Sequence, residues 1–312
     1  MARGAVGDRQ APLYDRKMTD IHPWDRITVV LVTRNSEAIL PTSLGSLTGA
    51  GRIILIDAMS TDRTLEVARA YHPGIDIISL TEDRGLGAAS NMGFQRVETE
   101  YVLNINPDTR LPEGCIERLA AAADANPNAA AIAPVLTNAN GDMDLAVMGP
   151  WERHHHAISA APDGPFCTWF LTGAVVLWRL SSFRDIGGFD ENIFLYNEDT
   201  DLCMRATQKG YPLIVEPAAR GDHFGGRSED ISLASRIRRD RNMMWGHLMY
   251  ERKYAGAKEA DQIARRELRK CCSNTLAGLL TVRPRKVLTN IAKARAAYSF
   301  LHGGSPWDRN QS

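Results

Sequence analysis

Residues 27–32 read ITVVLV, a continuous and largely β-branched run. A strand solvated on one face alternates apolar and polar residues, whereas an unbroken run fits a strand buried on both faces of a parallel sheet. The signal repeats downstream. An amphipathic stretch at 37–47 leads to RIILID at 52–57, and helical signals at 62–71 lead to IDIISL at 75–80. GAASNMGFQRV, helical in pattern, precedes YVLNI at 101–105; an Ala-rich helix over 113–125 precedes AAIAPVL at 130–136. This alternation predicts βαβ units: an α/β fold with a mostly parallel sheet flanked by helices on both faces. Such sheets bind ligands beyond their C-terminal strand ends. Those ends are polar here: Thr33-Arg34-Asn35 after the first strand, Asp57 at the second, Asn106-Pro107-Asp108 after the fourth.

After Leu136 the pattern changes. Residues 137–167 read as loop, with Gly141, Gly149, Pro150, Pro162 and Pro165. TWFLTGAVVLW at 168–178 predicts a strand, FRDIGGFDE a turn, and FLYNEDTDLCMR at 194–205 the start of a helix. YPLIVEP at 211–217 predicts a further strand leading to RGDHFGGRS, and from about Leu233 the chain is helical and basic.

With 312 residues, 44% hydrophobic and 24% charged, the chain reads as an ordinary soluble globular protein and not a disordered one. Net charge is zero but unevenly spread. Residues 231–312 hold 17 Lys and Arg against 6 Asp and Glu, a balance of +11, so the remainder carries −11. A basic tail on an acidic body predicts contact with an anionic surface, membrane lipid or an acidic partner. No reader motif supports nucleic acid. The five cysteines, Cys115, Cys167, Cys203, Cys271 and Cys272, are odd in number and lack metal-ligand spacing, which reads as reduced core thiols in a cytosolic protein. The first twenty residues lack the apolar stretch of a secretory signal and read as a mobile leader. No apolar run reaches the ~18 residues that span a bilayer.

Several constellations carry chemistry, each beside a plainer reading. In IDAMSTDRT, Asp57, Ser60 and Asp62 could bond a nucleobase or ribose edge; Ser60 and Asp62 could equally cap the next helix. In EDRGLGAASNMGF, Gly85 and Gly87 would admit a ligand close to the backbone, with a helix N-terminus to favour phosphate, although loops use glycine freely. In LNINPDTRLP, Asp108 stands where a divalent ion could bridge carboxylate and diphosphate, with Asn106 two positions earlier; Asn-Pro-Asp is also a common turn. Glu198, Asp199 and Asp201 open a helix, where acids are favoured by its dipole. Because Phe194-Leu195-Tyr196 precede them, at least one should face an apolar pocket, with its pKa raised toward that of a general base. Arg205 is placed to pair within that helix. His223 reads as structural or as a ligand, and His154-His155-His156 as polar surface.

Taken together these segments resemble glycosyltransferase family 2, whose nucleotide-sugar domain has the GT-A fold. TRN follows the first strand, D..S.D the second; RGLGAASNMGF, NPD, TGAVVLWR, IGGFDENIFLYNEDTDLCMR and H..GG.S then follow in family order over about residues 26–230. The branch most resembled is the bacterial rhamnosyltransferase-like group that builds polysaccharide and lipopolysaccharide chains. The resemblance implies an inverting enzyme in which Asp199 is the base and Glu198 its neighbour toward the acceptor. Asp57 would contact the nucleobase, with Thr33, Asn35 and Ser60 in the same pocket, and Arg84, Gly85, Asn91 and Asn106 on the donor side. Asp108 and His223 would hold Mg2+ or Mn2+ against the diphosphate. The partners implied are a nucleotide-sugar donor, such as dTDP-rhamnose or a UDP-sugar, and a glycan or polyprenyl-linked acceptor. Two positions depart from the pattern: Asn106 replaces the first aspartate of D-x-D, and Ala58 stands where the family has Asn.

The organisation expected is a flexible leader at 1–25, a GT-A domain at 26–230 and a basic, mainly helical extension at 231–312. The latter would lie peripherally on the inner face of the cell membrane, in an otherwise cytoplasmic protein. Two rivals remain on sequence grounds. One is a catalytically idle GT-A module that binds nucleotide or scaffolds an assembly; the other is a nucleotidyltransferase, which would need an early Gly-rich basic loop that LVTRNSEAIL does not offer.

Overall fold

The computed structural model describes residues 22–150, 152–225 and 233–304. Its strands are β1 (Ile27–Thr33), β2 (Ile53–Asp57), β3 (Asp76–Ser79), β4 (Tyr101–Ile105), β5 (Thr109–Arg110), β6 (Ala131–Thr137), β7 (Met143–Asp144), β8 (Ala146–Val147), β9 (His156–Ala157), β10 (Phe166–Thr168), β11 (Val175–Arg179) and β12 (Leu213–His223). Its helices are α1 (Leu40–Gly45), α2 (Thr64–Tyr71), α3 (Leu86–Phe94), α4 (Cys115–Ala125), α5 (Leu180–Ile186), α6 (Glu198–Gln208), α7 (Leu233–Tyr254), α8 (Ala257–Leu280) and α9 (Pro284–Leu301).

The main sheet runs β10-β12-β6-β11-β4-β1-β2-β3. β4, β1, β2 and β3 are mutually parallel, as are β6 and β12. Alternate residues of one strand serve opposite cores. Val29 and Leu31 pack with Leu40, Leu44 and Leu119 on one side, Val30 with Ile54, Phe94 and Val102 on the other. This two-sided burial is what the unbroken ITVVLV run anticipates. Strand order reverses between β1 and β4, and ligands of open α/β sheets bind at such a switch point.

Three elements differ from the sequence reading. The strand expected over 168–178 is two: β10 ends at Thr168 and β11 begins at Val175, with Leu171, Thr172 and Gly173 between them. β11 runs antiparallel to both β4 and β6, so its N-terminal end lies beside the C-terminal end of β4. The expected turn FRDIGGFDE opens within α5, and only Gly187 and Gly188, at φ 97° and 70°, make the turn. β12 does not stop at Pro217. An irregularity between Glu216 and Arg220 absorbs the proline, and pairing with β6 resumes to Asp222.

Before β1, Pro23–Arg26 forms a 3-10 turn whose Trp24 is buried against Gly49, where a Cβ would overlap the indole. Residues 1–21 of the expected leader lie outside the described residues. Cys115, Cys203 and Cys271 are buried as expected; Cys167 and Cys272 are exposed, which corrects the reading of all five as core thiols. Among the described residues no helix is long and apolar enough to cross a membrane.

Candidate active site

At the C-terminal edge of the sheet a cleft of about 480 Å³ opens over the β1–β4 switch point. Thr33, Gly85, Asn106, Asp108, Glu198, Asp199 and His223 line it, so seven of the twelve residues singled out from sequence converge.

The acidic pair sits at the start of α6. Asn197, in the left-handed region at φ 70°, turns the chain so that Glu198 and Asp199 enter the helix facing the cleft. Their surroundings differ. Asp199 accepts hydrogen bonds from Thr200 N (2.7 Å) and from Gly173 N (3.3 Å), the latter on the segment that β11's reversal brings alongside. Glu198 is 6% exposed, and its Oε2 has no hydrogen-bond partner among the described residues. Burial, with repulsion from Asp199, pushes the Glu198 carboxyl up to about 8. Burial raises Asp199 too, but its two backbone donors and the nearby His155 favour its anion. The Thr200 and Gly173 N–H donors and His155 thus favour the charge on Asp199, with the proton shared by the pair on Glu198.

Asp201 has another task. Fully buried, it meets Arg205 at 2.8 Å, Lys253 at 2.6 Å and the Tyr254 hydroxyl at 2.8 Å. Arg205 thus pairs with Asp201, and the triad ties α6 to α7.

On the opposite wall, Asn106-Pro107-Asp108 is both a turn and part of the cleft, so the two readings of that motif coincide. The continuation of β12 sets His223 against it, with Nε2 3.6 Å from Asp108 Oδ1 and Nδ1 3.1 Å from Asp144 Oδ2. Burial disfavours the His223 cation, but the two aspartates outweigh that and raise its pKa to about 9. Among the described residues no cluster of three His, Cys, Asp or Glu could hold a metal alone. A divalent ion carried on a diphosphate needs only one or two protein ligands; Asp108 fits that donor set, and His223 would join it on giving up its proton. The remainder of H..GG.S, from Gly226 to Ser228, lies outside the described residues.

The corner expected to hold the nucleobase is a hydrogen-bonded unit behind the cleft wall. Asp57, 4% exposed, accepts from Ser60 N at 3.2 and 3.3 Å; Ser60 Oγ accepts from Asn35 N at 2.9 Å; Asn35 Oδ1 accepts from Thr61 N at 2.8 Å. Asp62 likewise receives Glu37 N and Thr64 N. Asn35, Asp57 and Ser60 therefore brace the loops after β1 and β2, and Thr33 and Ala58 present that corner to the cleft.

The glycine loop also needs correction. A Cβ on Gly85 would overlap the Phe194 carbonyl oxygen, and one on Gly87 would press on Phe189. Both glycines make room for the FLYNED segment and its neighbour, and Gly85 also lines the cleft. Asn91 does not line the cleft: its side chain bonds both the N–H and the C=O of Phe189, at 2.9 and 3.0 Å. Arg84 lies outside it as well, paired with Glu82 and Glu191.

The sequence reading missed a third wall. Ser235, Arg236, Arg238, Arg239 and Asn242 from the first turns of α7 line the cleft. The RIRRDR run therefore meets the site, where a membrane surface had been expected. Gly246 holds α7 there, since a Cβ would overlap the Leu195 and Tyr196 carbonyl oxygens. Arg34, paired with Asp83 at 2.6 Å, closes the side nearest β1. His155, read as plain surface, stacks flat on Phe170 at 3.9 Å beside the Asp199 wall. Arg34 belongs to the TRN strand end already read from sequence, whereas the α7 residues and His155 are placed by packing between distant segments.

Sequence comparison decides the family. Residues 28–156 match the model of glycosyl transferase family 2, and residues 101–307, two thirds of the chain, that of glycosyl transferase family group 2. The chain belongs to glycosyltransferase family 2. A curated relative of this glycosyltransferase is N-acetylglucosaminyl-diphospho-decaprenol L-rhamnosyltransferase of Mycobacterium tuberculosis, 28% identical over 255 residues, covering 70% of this chain and 81% of the relative. That agrees with the rhamnosyltransferase-like branch. Among solved structures, S. aureus TarS 1–349 aligns with TM-score 0.54 and 17% identity, covering 89% of this chain and 92% of TarS. The mannosyltransferase PcManGT from Pyrobaculum calidifontis, solved with GDP-Man and Mn2+, aligns with TM-score 0.51 and 16% identity, covering 91% and 88%. The glycosyltransferase has the GT-A fold these structures share.

Proposed function

We propose that this glycosyltransferase moves a sugar, with inversion, from a nucleotide-sugar donor to a hydroxyl of a glycan or polyprenyl-diphosphate-linked acceptor in cell-surface polysaccharide synthesis. The observation that carries the reading is the Glu198–Asp199 pair: adjacent carboxyls on a cleft wall whose environments put the proton on one and the charge on the other. Asp199 takes the proton of the acceptor hydroxyl, and that oxygen forms its bond to the anomeric carbon as the nucleoside diphosphate leaves from the opposite face. Protonated Glu198, whose Oε2 has no partner among the described residues, is placed to bond an acceptor or donor hydroxyl. Arg236, Arg238 and Arg239 face the charge that grows on the leaving diphosphate. Asp108 and His223 would hold Mg2+ or Mn2+, which supplies further charge stabilisation when bound. Thr33 and Ala58 would border the base. The likeness to the mycobacterial enzyme supports dTDP-rhamnose as the first donor to test and a polyprenyl-diphosphate sugar, presented at the cytoplasmic leaflet, as the first acceptor.

The test is transfer from dTDP-rhamnose, UDP-sugars and GDP-sugars to a short polyprenyl-diphosphate N-acetylglucosamine, with anomeric configuration read by NMR. An inverted product from one donor is expected. A retained configuration would exclude the single-displacement mechanism, and nucleotide binding without turnover would point to the idle module.

A further inference from the structure

The C-terminal helices divide the basic tail into three fates. The RIRRDR run of α7 lines the cleft, and MMWGHLMY packs inward: Met244, Trp245 and Leu248 form a core with Ala260, Ala264, Ala297 and Phe300. The α8–α9 hairpin end does neither. Leu276 and Leu279 are 61% exposed, Leu280 78% and Val282 85%. Of the twelve large apolar residues exposed among the described residues, seven fall between 276 and 298, so apolar exposure is concentrated on this one feature. Leu276, Leu279 and Leu280 share a helix face by their spacing, and Leu288 and Ile291 follow on α9. The hairpin closes on itself through Gly278 and Val287, which are buried in its seam, so these leucines are not needed to hold it together. Val282 sits at φ 51°, a left-handed position that a glycine would occupy without strain, yet the tip presents a β-branched apolar side chain.

Charge selects the occupant. From residue 268 to 304 the chain has seven Lys and Arg and no Asp or Glu, and Arg283, Arg285 and Lys286 adjoin the apolar tip directly. A protein partner would need a concentrated acidic surface around an apolar socket. An anionic bilayer supplies both at once, with headgroup charge above acyl chain. We infer that the α8–α9 hairpin tip, led by Leu276, Leu279, Leu280 and Val282, is a peripheral docking surface for an anionic lipid membrane. This deepens the acceptor reading above: α7, on which α8 and α9 pack, carries its arginines into the cleft, so docking would hold the cleft close to a lipid-linked acceptor.

Flotation of the full-length protein with vesicles of phosphatidylcholine alone, or mixed with phosphatidylglycerol, tests it. Binding is expected only to the anionic vesicles, with release at ~0.5 M salt. Leu279→Glu with Leu280→Glu should lower the bound fraction at least about tenfold. So should Arg283→Glu with Arg285→Glu, which leaves the apolar residues in place and guards against a folding defect in the first variant. Donor hydrolysis in detergent-free buffer is measured in parallel and should stay at wild-type level in both. No binding to either vesicle, or equal binding by wild type and variants, overturns the inference. So does a wild-type dimer in light scattering that the leucine variant converts to monomer without any vesicle binding, since the face would then be a self-interface. Vesicle binding that obeys the expectation in a protein inactive toward every donor would sink the enzymatic reading and leave this one standing.

Discussion

Glu198 and Asp199 are neighbours in sequence, both desolvated but differently hydrogen-bonded, and two outcomes follow for the single residue. Asp199→Asn keeps the shape that receives Gly173 N–H and removes the basicity. Turnover should fall by about 10²–10⁴-fold while donor affinity, read by calorimetry, stays within a few-fold. Near wild-type turnover would move the base to Glu198. The second outcome concerns pH. A carboxyl raised from 4.5 to about 8 binds its proton in the folded state across a range where the unfolded chain has lost it. Where the folded state binds more protons, stability falls as pH rises, so Glu198 erodes stability between these values. Glu198→Gln carries no charge to bury. Its melting temperature should match wild type near pH ~5 and exceed it by pH ~8. Parallel melting curves across that range would show that Glu198 is solvated. Asp199 and His155 titrate beside it, so some slope should persist in the variant.

At the scale of elements, α6 and α7 form one unit. Asp201 is buried between them and paired with the partly exposed Arg205 and Lys253, so removing its charge leaves two cations without their shared partner. Asp201→Asn should therefore cost about 1.5–3 kcal/mol in chemical denaturation, a loss that carboxylates on solvated helix starts do not show. Gly246 sets two effects in opposition. Alanine is about 1 kcal/mol better in a helix interior, but here its Cβ would overlap the Leu195 and Tyr196 carbonyls, and such overpacking costs about 1–3 kcal/mol. Gly246→Ala should be destabilised and should bind donor more weakly, because α7 must retreat and take its arginines along. A more stable variant with unchanged donor affinity would show that α7 moves freely against the catalytic segment.

At the scale of the whole molecule, charge is sorted. The acidic body contributes the carboxylates of the cleft, and the basic C-terminal region contributes cations to the same cleft and to the hairpin tip. The cleft arginines should then make donor binding sensitive to ionic strength. Arg236→Gln with Arg239→Gln should weaken donor affinity about tenfold or more and flatten its salt dependence, since hydrogen bonds to charged groups are worth about 1.5–3 kcal/mol each. An unchanged affinity would place the diphosphate against Asp108 and His223 alone.

Local pattern alone reveals the parallel strands, the sheet edge that carries the cleft, and Asp108, Glu198 and Asp199 on its walls. These are legible because strand burial on two faces and a helix start leave local patterns, and because the family motifs recur in order. Tertiary structure decided the rest. That Gly85 must make room for Phe194, whether Asn91 meets a donor or the backbone of Phe189, and whether RIRRDR faces lipid or the cleft depend on what a distant segment brings alongside. β11 reverses direction and lays Gly173 against Asp199; β12 crosses its proline and lays His223 against Asp108. Periodicity records which face of an element is buried, but it does not record what buries it, and that choice assembles this site.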